Sequence, residues 1–127
     1  VHRDVKPANI LVAETQLGAP VRLIDLGAAV DLRSGFNFDP ERGLLDPRYA
    51  PPEQYVMPRD VPPPPKGVQA LFGSPFIWNR YTPDRFDTYS VGMTLLQMAV
   101  PQLRTSSTMK TVANQLREVE GSVVEWR

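Results

Sequence analysis

His2-Arg3-Asp4-Val5-Lys6-Pro7-Ala8-Asn9 runs directly into the apolar pair Ile10-Leu11, and Asp25-Leu26-Gly27 follows downstream. Between them, Ile10–Ala13 and Val21–Ile24 are short β-prone runs joined through Gly18-Ala19-Pro20, a pattern that predicts a small hairpin. A hairpin returns the chain to its starting point, so it sets Asn9 and Asp25 side by side. The chemistry that needs this set is phosphoryl transfer to a hydroxyl. Asp4 is placed to accept the hydroxyl proton and aim its oxygen, while Lys6 beside it neutralises charge on the transferring group. Asn9 offers a neutral carbonyl oxygen and Asp25 a carboxylate, both hard donors suited to Mg²⁺.

Working outward, the composition narrows the alternatives. The 127 residues amount to one small domain, and 42% hydrophobic residues are enough to build a core. The 14 basic side chains balance 14 acidic ones, for zero formal net charge. Residues 1–60 carry seven basic against nine acidic groups and the remainder seven against five, so neither half is a nucleic-acid or lipid footprint. No cysteine is present, and His2 is the only histidine. Disulfides, thiolate metal sites, a cysteine nucleophile and a His-rich metal site all fall away. No window approaches the roughly 18 apolar residues of a membrane span. The chain opens at Val1 without a leader pattern, in the manner of a piece of something longer.

Proline is the unusual entry, at 14 of 127 residues and crowded between Pro47 and Pro83. Each proline removes a backbone donor, so residues 57–83 are expected to form a long extended insertion. Within it Met57–Ser74 is the part least suited to helix, with a polyproline patch at Pro62–Pro65. Such a segment is either a solvent-exposed insertion or a partner-docking polyproline II segment. Beyond it, Asp84 to Ala99 reads as a helix stopped by Pro101. Its apolar positions wrap most of the circumference, which predicts burial on all sides. Residues 109–119 place Met109, Val112, Ala113, Leu116 and Val119 at helical spacing on one face.

The opening run resembles the H-R-D-x-K-P-x-N catalytic loop of eukaryotic protein kinases in its serine/threonine form, and Asp25-Leu26-Gly27 their D-F-G metal motif. Pro51-Pro52-Glu53 stands where that family has A-P-E. Asp87-Thr88-Tyr89-Ser90-Val91-Gly92 resembles its D-x-W-S-x-G. The run Ile24–Arg33, Leu44–Tyr49, Glu53-Gln54-Tyr55, Asp84–Asp87, Leu95–Ala99 and the terminal Trp126-Arg127 are similar to the plant and algal thylakoid state-transition kinases.

That resemblance implies an α+β, protein-kinase-like fold. Residues 1–127 would be a partial kinase domain, the C-terminal-lobe portion, mainly α-helical with the small hairpin between the catalytic loop and the D-L-G motif. It implies ATP and Mg²⁺ as cofactors and Asp4, Lys6 and Asn9 as catalytic residues. Asn9 and Asp25 would hold the metal, and Leu11 would be the floor under the adenine ring. Asp87 would hold the catalytic-loop backbone, Glu53 would make a structural ion pair, and Arg3 would bind an anion from the activation segment. His2 is a structural imidazole in this reading, and Leu26 an apolar plug. The partners implied are protein substrates, light-harvesting or photosystem proteins on the stromal side of the chloroplast thylakoid. An anchor is implied upstream of the kinase domain.

Two departures bear on activity. The sequence holds no Gly-rich phosphate loop and no strand lysine, so the 127 residues alone are expected to bind Mg-ATP poorly and to lack activity. Asp46 stands where serine/threonine kinases place a threonine, and residues 28–45 offer only Ser34 as a phosphorylation candidate. Carboxylates are therefore expected to replace a regulatory phosphate, Asp46 pairing with Lys6 and Asp39 or Glu41 reaching Arg3. Two classes stay open: a protein serine/threonine kinase, and a non-catalytic kinase-like module that binds a partner.

Overall fold

The computed structural model describes residues 1–13, 20–31, 46–51, 68–82 and 84–119. Residues 2–9 end in a 3-10 turn, Pro7–Asn9, with proline at its first position where the missing donor costs nothing. The chain then forms β1 (Ile10–Val12) and β2 (Val21–Leu23), an antiparallel pair in the register Ile10↔Leu23, Leu11↔Arg22 and Val12↔Val21. Ile24 N–H donates to Asn9 O at 3.0 Å and Ala13 N–H to Pro20 O at 2.8 Å, which closes the ladder at both ends. The expected hairpin is present.

Three helices follow: α1 (Val68–Tyr81), α2 (Asp84–Ala99) and α3 (Ser106–Glu118). The existence of α1 corrects the reading of residues 57–83 as one extended loop, because the helix occupies Val68–Ser74 as well as Pro75. Prolines bar a helix only where they stand. Residues 66–74 contain none and include the good helix formers Gln69, Ala70 and Leu71. Pro75 itself sits inside the helix, at a cost of about 3 kcal/mol for the lost bond and the steric conflict. The polyproline patch at Pro62–Pro65 lies outside the described residues, as do Glu53, Ser34, Asp39, Glu41 and the terminal Trp126-Arg127.

The α2 helix has the predicted bounds but not the predicted environment. Phe86, Ser90, Met93 and Thr94 are buried, a stripe at helical spacing, whereas Val91, Leu95 and Met98 are exposed. An apolar circumference marks a helix able to be buried, and burial follows only where another element packs on it. The α3 helix behaves as its spacing requires, except that it ends at Glu118 and Val119 follows as the C-cap. Thr105 caps its N-terminus by accepting from Thr108 N–H, and Met109, Val112, Ala113 and Leu116 face inward. These four form the core with Met93 of α2 and Tyr49, and Tyr89, Leu96 and Leu103 pack against its edge. Each large side chain removed from water here contributes about 1.5–3 kcal/mol.

Long-range hydrogen bonds attach residues 1–9 to this helical core. The Asp87 carboxylate in the first turn of α2 accepts from His2 N–H at 2.6 Å and from Arg3 N–H at 2.8 Å. Val1 and Val30 exchange backbone bonds of 2.9 and 3.2 Å. Residues 46–51 are fastened separately. Ser90 Oγ donates to Tyr49 O at 3.0 Å, Tyr49 Oη to Gln97 Oε1 at 2.7 Å, and the Arg117 guanidinium to Pro47 O.

Candidate functional site

Arg3 has φ 66° and Asp25 φ 62°, both in the left-handed region that non-glycine residues enter at a cost. Strain of this kind persists only where neighbours over-determine it. At Arg3 the neighbours are Asp87, which holds its N–H, and Ala28 O, which accepts from its Nε at 2.5 Å. At Asp25 it is Gly27, whose N–H donates to Asp25 Oδ1 at 3.2 Å. A Cβ at position 27 would meet that same oxygen at 3.2 Å, a close approach that glycine relieves.

His2 is buried; its Nε2 lies 3.2 Å from Ile24 O and its Nδ1 accepts from Asp4 N–H at 3.3 Å. One imidazole thus spans the stretch before Asp4 and the end of the hairpin. Asp4 follows with its carboxylate only partly exposed. Its Oδ2 receives Lys6 Nζ at 2.8 Å and Asn9 Nδ2 at 2.9 Å. Asn9 is buried, and the same Nδ2 also donates to Asp4 O at 2.9 Å. The expected trio therefore converges on one carboxylate oxygen.

With its amide nitrogen spent on Asp4, Asn9 turns Oδ1 away, and that oxygen has no partner among the described residues. The hydrogen bond between Ile24 N–H and Asn9 O brings the backbone leading to Asp25 against it. Asp25 is exposed, and among the described residues only its Oδ1 is used, by Gly27. A free amide oxygen and a partly free carboxylate suit Mg²⁺, which takes one or two protein oxygens and completes its shell with phosphates and water. Among the described residues no cluster of three or more His, Cys, Asp or Glu could hold a metal by itself.

Leu11 is 50% exposed, so its place on a strand does not make it core; with Val12, Val21, Leu23 and Ile24 it leaves the hairpin apolar and open to solvent. Leu26 is exposed as well and plugs nothing among the described residues.

Asp46 overturns one expectation. Its partner is Arg48, not Lys6: Arg48 Nη2 meets Oδ2 at 2.5 Å, and Arg48 Nε and N–H donate to Oδ1 at 2.8 and 3.1 Å. The reason is local. The backbone turns at Asp46, with Tyr49 and Ala50 N–H both donating to Asp46 O, and this folds Arg48 back over its neighbour's side chain. Hydrogen bonding from Arg48 holds the Asp46 carboxyl below its usual value of 3.8 despite partial burial, and Lys6 adds a smaller pull. Asp46 raises the Arg48 pKa in return, and burial raises that of Tyr49.

Lys6, Pro7 and Ala8 form one wall of a groove of about 590 Å³. Asp46, Arg48 and Tyr49 form a second, and Gln97, Met98, Arg104 and Ser106 a third. Arg48 ties two of these walls, donating from Nη1 to Ser106 Oγ at 2.7 Å, and its guanidinium carbon stands 5.6 Å from the Tyr49 ring centre. Gln97, Arg104 and Ser106 were not among the residues singled out from sequence. The available signal was a polar side chain inside the apolar run Leu95-Leu96-Gln97-Met98.

Comparison with known proteins shows the family. A family model described as the protein kinase domain matches residues 1–125. The chain is 51% identical over 128 residues to serine/threonine-protein kinase STN8, chloroplastic, of Arabidopsis thaliana, covering 100% of the chain and 25% of that protein. It is 46% identical over 127 residues to serine/threonine-protein kinase STN7, chloroplastic, of the same plant, covering 100% of the chain and 22% of that protein. Among solved structures, a crystal structure of a Stt7 homolog from Micromonas algae soaked with ATP matches with a TM-score of 0.80 at 37% identity. That match covers 100% of this chain and 36% of the other. The chain thus spans about a quarter of the length of the curated relatives it matches.

Proposed function

Because this chain belongs to the protein kinase family, we propose that the full-length protein transfers the γ-phosphoryl group of ATP to serine or threonine hydroxyls of a protein substrate. The observation that carries the reading is the convergence of Lys6 Nζ and Asn9 Nδ2 on one oxygen of Asp4. Asp4 accepts the proton of the substrate hydroxyl as that oxygen bonds to phosphorus and the bond to the ADP oxygen breaks. The Lys6 ammonium, 2.8 Å from Asp4, neutralises charge on the transferring oxygens. Asn9 fixes the Asp4 carboxylate through its amide nitrogen and keeps its carbonyl oxygen for the metal, with Asp25 as the second protein donor. Asn9 and Asp25 would hold Mg²⁺, whose charge would offset that of the phosphates. Leu11, exposed on β1, would lie under the adenine ring.

The preparation work is structural. Asp87 aligns the backbone before Asp4, and His2 joins that backbone to Ile24, so that positioning is complete before substrate arrives. The STN8 and STN7 relatives are named chloroplastic, which supports a chloroplast location for this protein. We place it at the stromal face of the thylakoid, acting on light-harvesting or photosystem proteins.

The test is phosphate transfer from γ-labelled ATP by the full-length protein to a threonine peptide, with the alanine peptide as control. Mg²⁺-dependent labelling of the threonine peptide alone is the expected result. Failure to label any serine or threonine substrate while ATP still binds would remove the catalytic reading.

A further inference from the structure

Three cations and one carboxylate line the groove beside the catalytic stretch, and their pairing leaves one cation over. The Lys6 charge is met by Asp4 at 2.8 Å, and the Arg48 charge by Asp46 at 2.5 Å. Arg104 is exposed and donates from Nη2 to Met98 O at 3.2 Å; it has no carboxylate partner among the described residues. Gln97, which also lines the groove, adds no charge. Its Oε1 accepts from Tyr49 Oη at 2.7 Å and its Nε2 donates to Leu103 O at 3.1 Å, so both ends of the amide are committed.

From this pairing we infer that Arg104 selects substrates carrying an acidic side chain near the phosphorylated residue. The inference rests on the kinase reading for what occupies the groove. Lys6 and Pro7 form one wall of it, so a polypeptide that brings its hydroxyl to Asp4 lays its flanking residues along the others. A glutamate or aspartate passing Arg104 finds a planar guanidinium with donors to spare. A lysine at the same place finds a like charge, with no acidic lining residue free to offset it, because Asp46 is already held by Arg48. The attraction is exposed, so it is modest and sensitive to salt.

The experiment uses the full-length protein and a peptide set in which a single Glu, Gln or Lys is moved through each position flanking the acceptor threonine. At one position the Glu peptide is expected to show a KM about fivefold below the Lys peptide, with a preference that shrinks as salt rises. Arg104→Gln, whose amide can still donate to Met98 O, is expected to abolish the difference, and Arg104→Glu to reverse it. The same peptides carrying a fluorophore, titrated onto protein loaded with a non-hydrolysable ATP analogue, give the binding preference without turnover. Absence of transfer with an intact, Arg104-dependent binding preference would overturn the catalytic reading and uphold this one. Equal binding of Glu and Lys peptides at every position, or a preference that survives Arg104→Gln, would overturn the role of Arg104.

Discussion

Replacing Asp87 by asparagine should loosen the backbone before Asp4. The carboxylate accepts two backbone N–H groups, from His2 at 2.6 Å and Arg3 at 2.8 Å, and these residues lie more than 80 positions away in sequence. Hydrogen bonds to a charged acceptor contribute about 1.5–3 kcal/mol each. Asparagine keeps one acceptor, loses the charge, and turns an NH₂ toward the second N–H. Because the site is only partly buried, the lower end of the range applies, and a loss of about 2 kcal/mol is expected. The left-handed backbone of Arg3 then has less to hold it, which adds to the effect. Hydrogen–deuterium exchange of the full-length protein, followed on the peptide containing His2 and Arg3, reads this local opening directly. A change of about 2 kcal/mol corresponds to about thirtyfold faster exchange at those amides. Asp84→Asn, in the same first turn but without a side-chain bond to the catalytic stretch, is the control. Wild-type exchange in Asp87→Asn would refute the claim that Asp87 anchors this backbone.

The Asp46–Arg48 pair makes a pH-dependent contribution to stability. Its carboxyl has a lowered folded-state pKa, so the stabilisation is fully present above the ordinary value of 3.8 and is lost as pH falls through the folded value. Urea midpoints should therefore differ between wild type and Asp46→Asn at pH 7 and converge toward pH 3; a constant gap would exclude the ionic origin. Met109→Ala empties a site of zero exposure and should cost about 2–5 kcal/mol in chemical denaturation; a loss below about 1 kcal/mol would mean the core between α2 and α3 is not packed as described. Asp25→Asn should raise the Mg²⁺ concentration needed for half-maximal ATP binding, measured by calorimetry, by about tenfold, and an unchanged requirement would remove Asp25 from the metal site.

The parts of the molecule legible in the sequence were those set by local pattern. The β-prone runs Ile10–Ala13 and Val21–Ile24, joined through Gly18-Ala19-Pro20, gave the hairpin, and the acidic start and Pro101 stop bounded α2 correctly. The helical spacing of Met109, Val112, Ala113 and Leu116 located the inner face of α3. Asp4, Lys6 and Asn9 were readable because they are close in sequence. What was not legible depended on weighing one effect against another or on distant segments meeting. Counting prolines hid α1, since its proline-free opening outweighs one internal Pro75. Apolar residues around α2 could not reveal that Val91, Leu95 and Met98 stay exposed, because exposure depends on what packs there. Asp46 was assigned to Lys6 by position along the chain, whereas a tight turn delivers Arg48 two residues on. The groove is assembled from three separated stretches of sequence, so Gln97 and Arg104 acquire meaning only in the folded chain.

The central claim is that Asp4 is the base that prepares the acceptor hydroxyl, while Asn9 and Asp25 serve the metal-bound nucleotide. Single-turnover phosphate transfer to a threonine peptide by full-length wild type and Asp4→Asn, each saturated with Mg-ATP, separates these roles. The asparagine should fall in transfer rate by about a hundredfold or more and bind Mg-ATP with an affinity close to wild type. Transfer by Asp4→Asn at a rate near wild type would contradict the assignment.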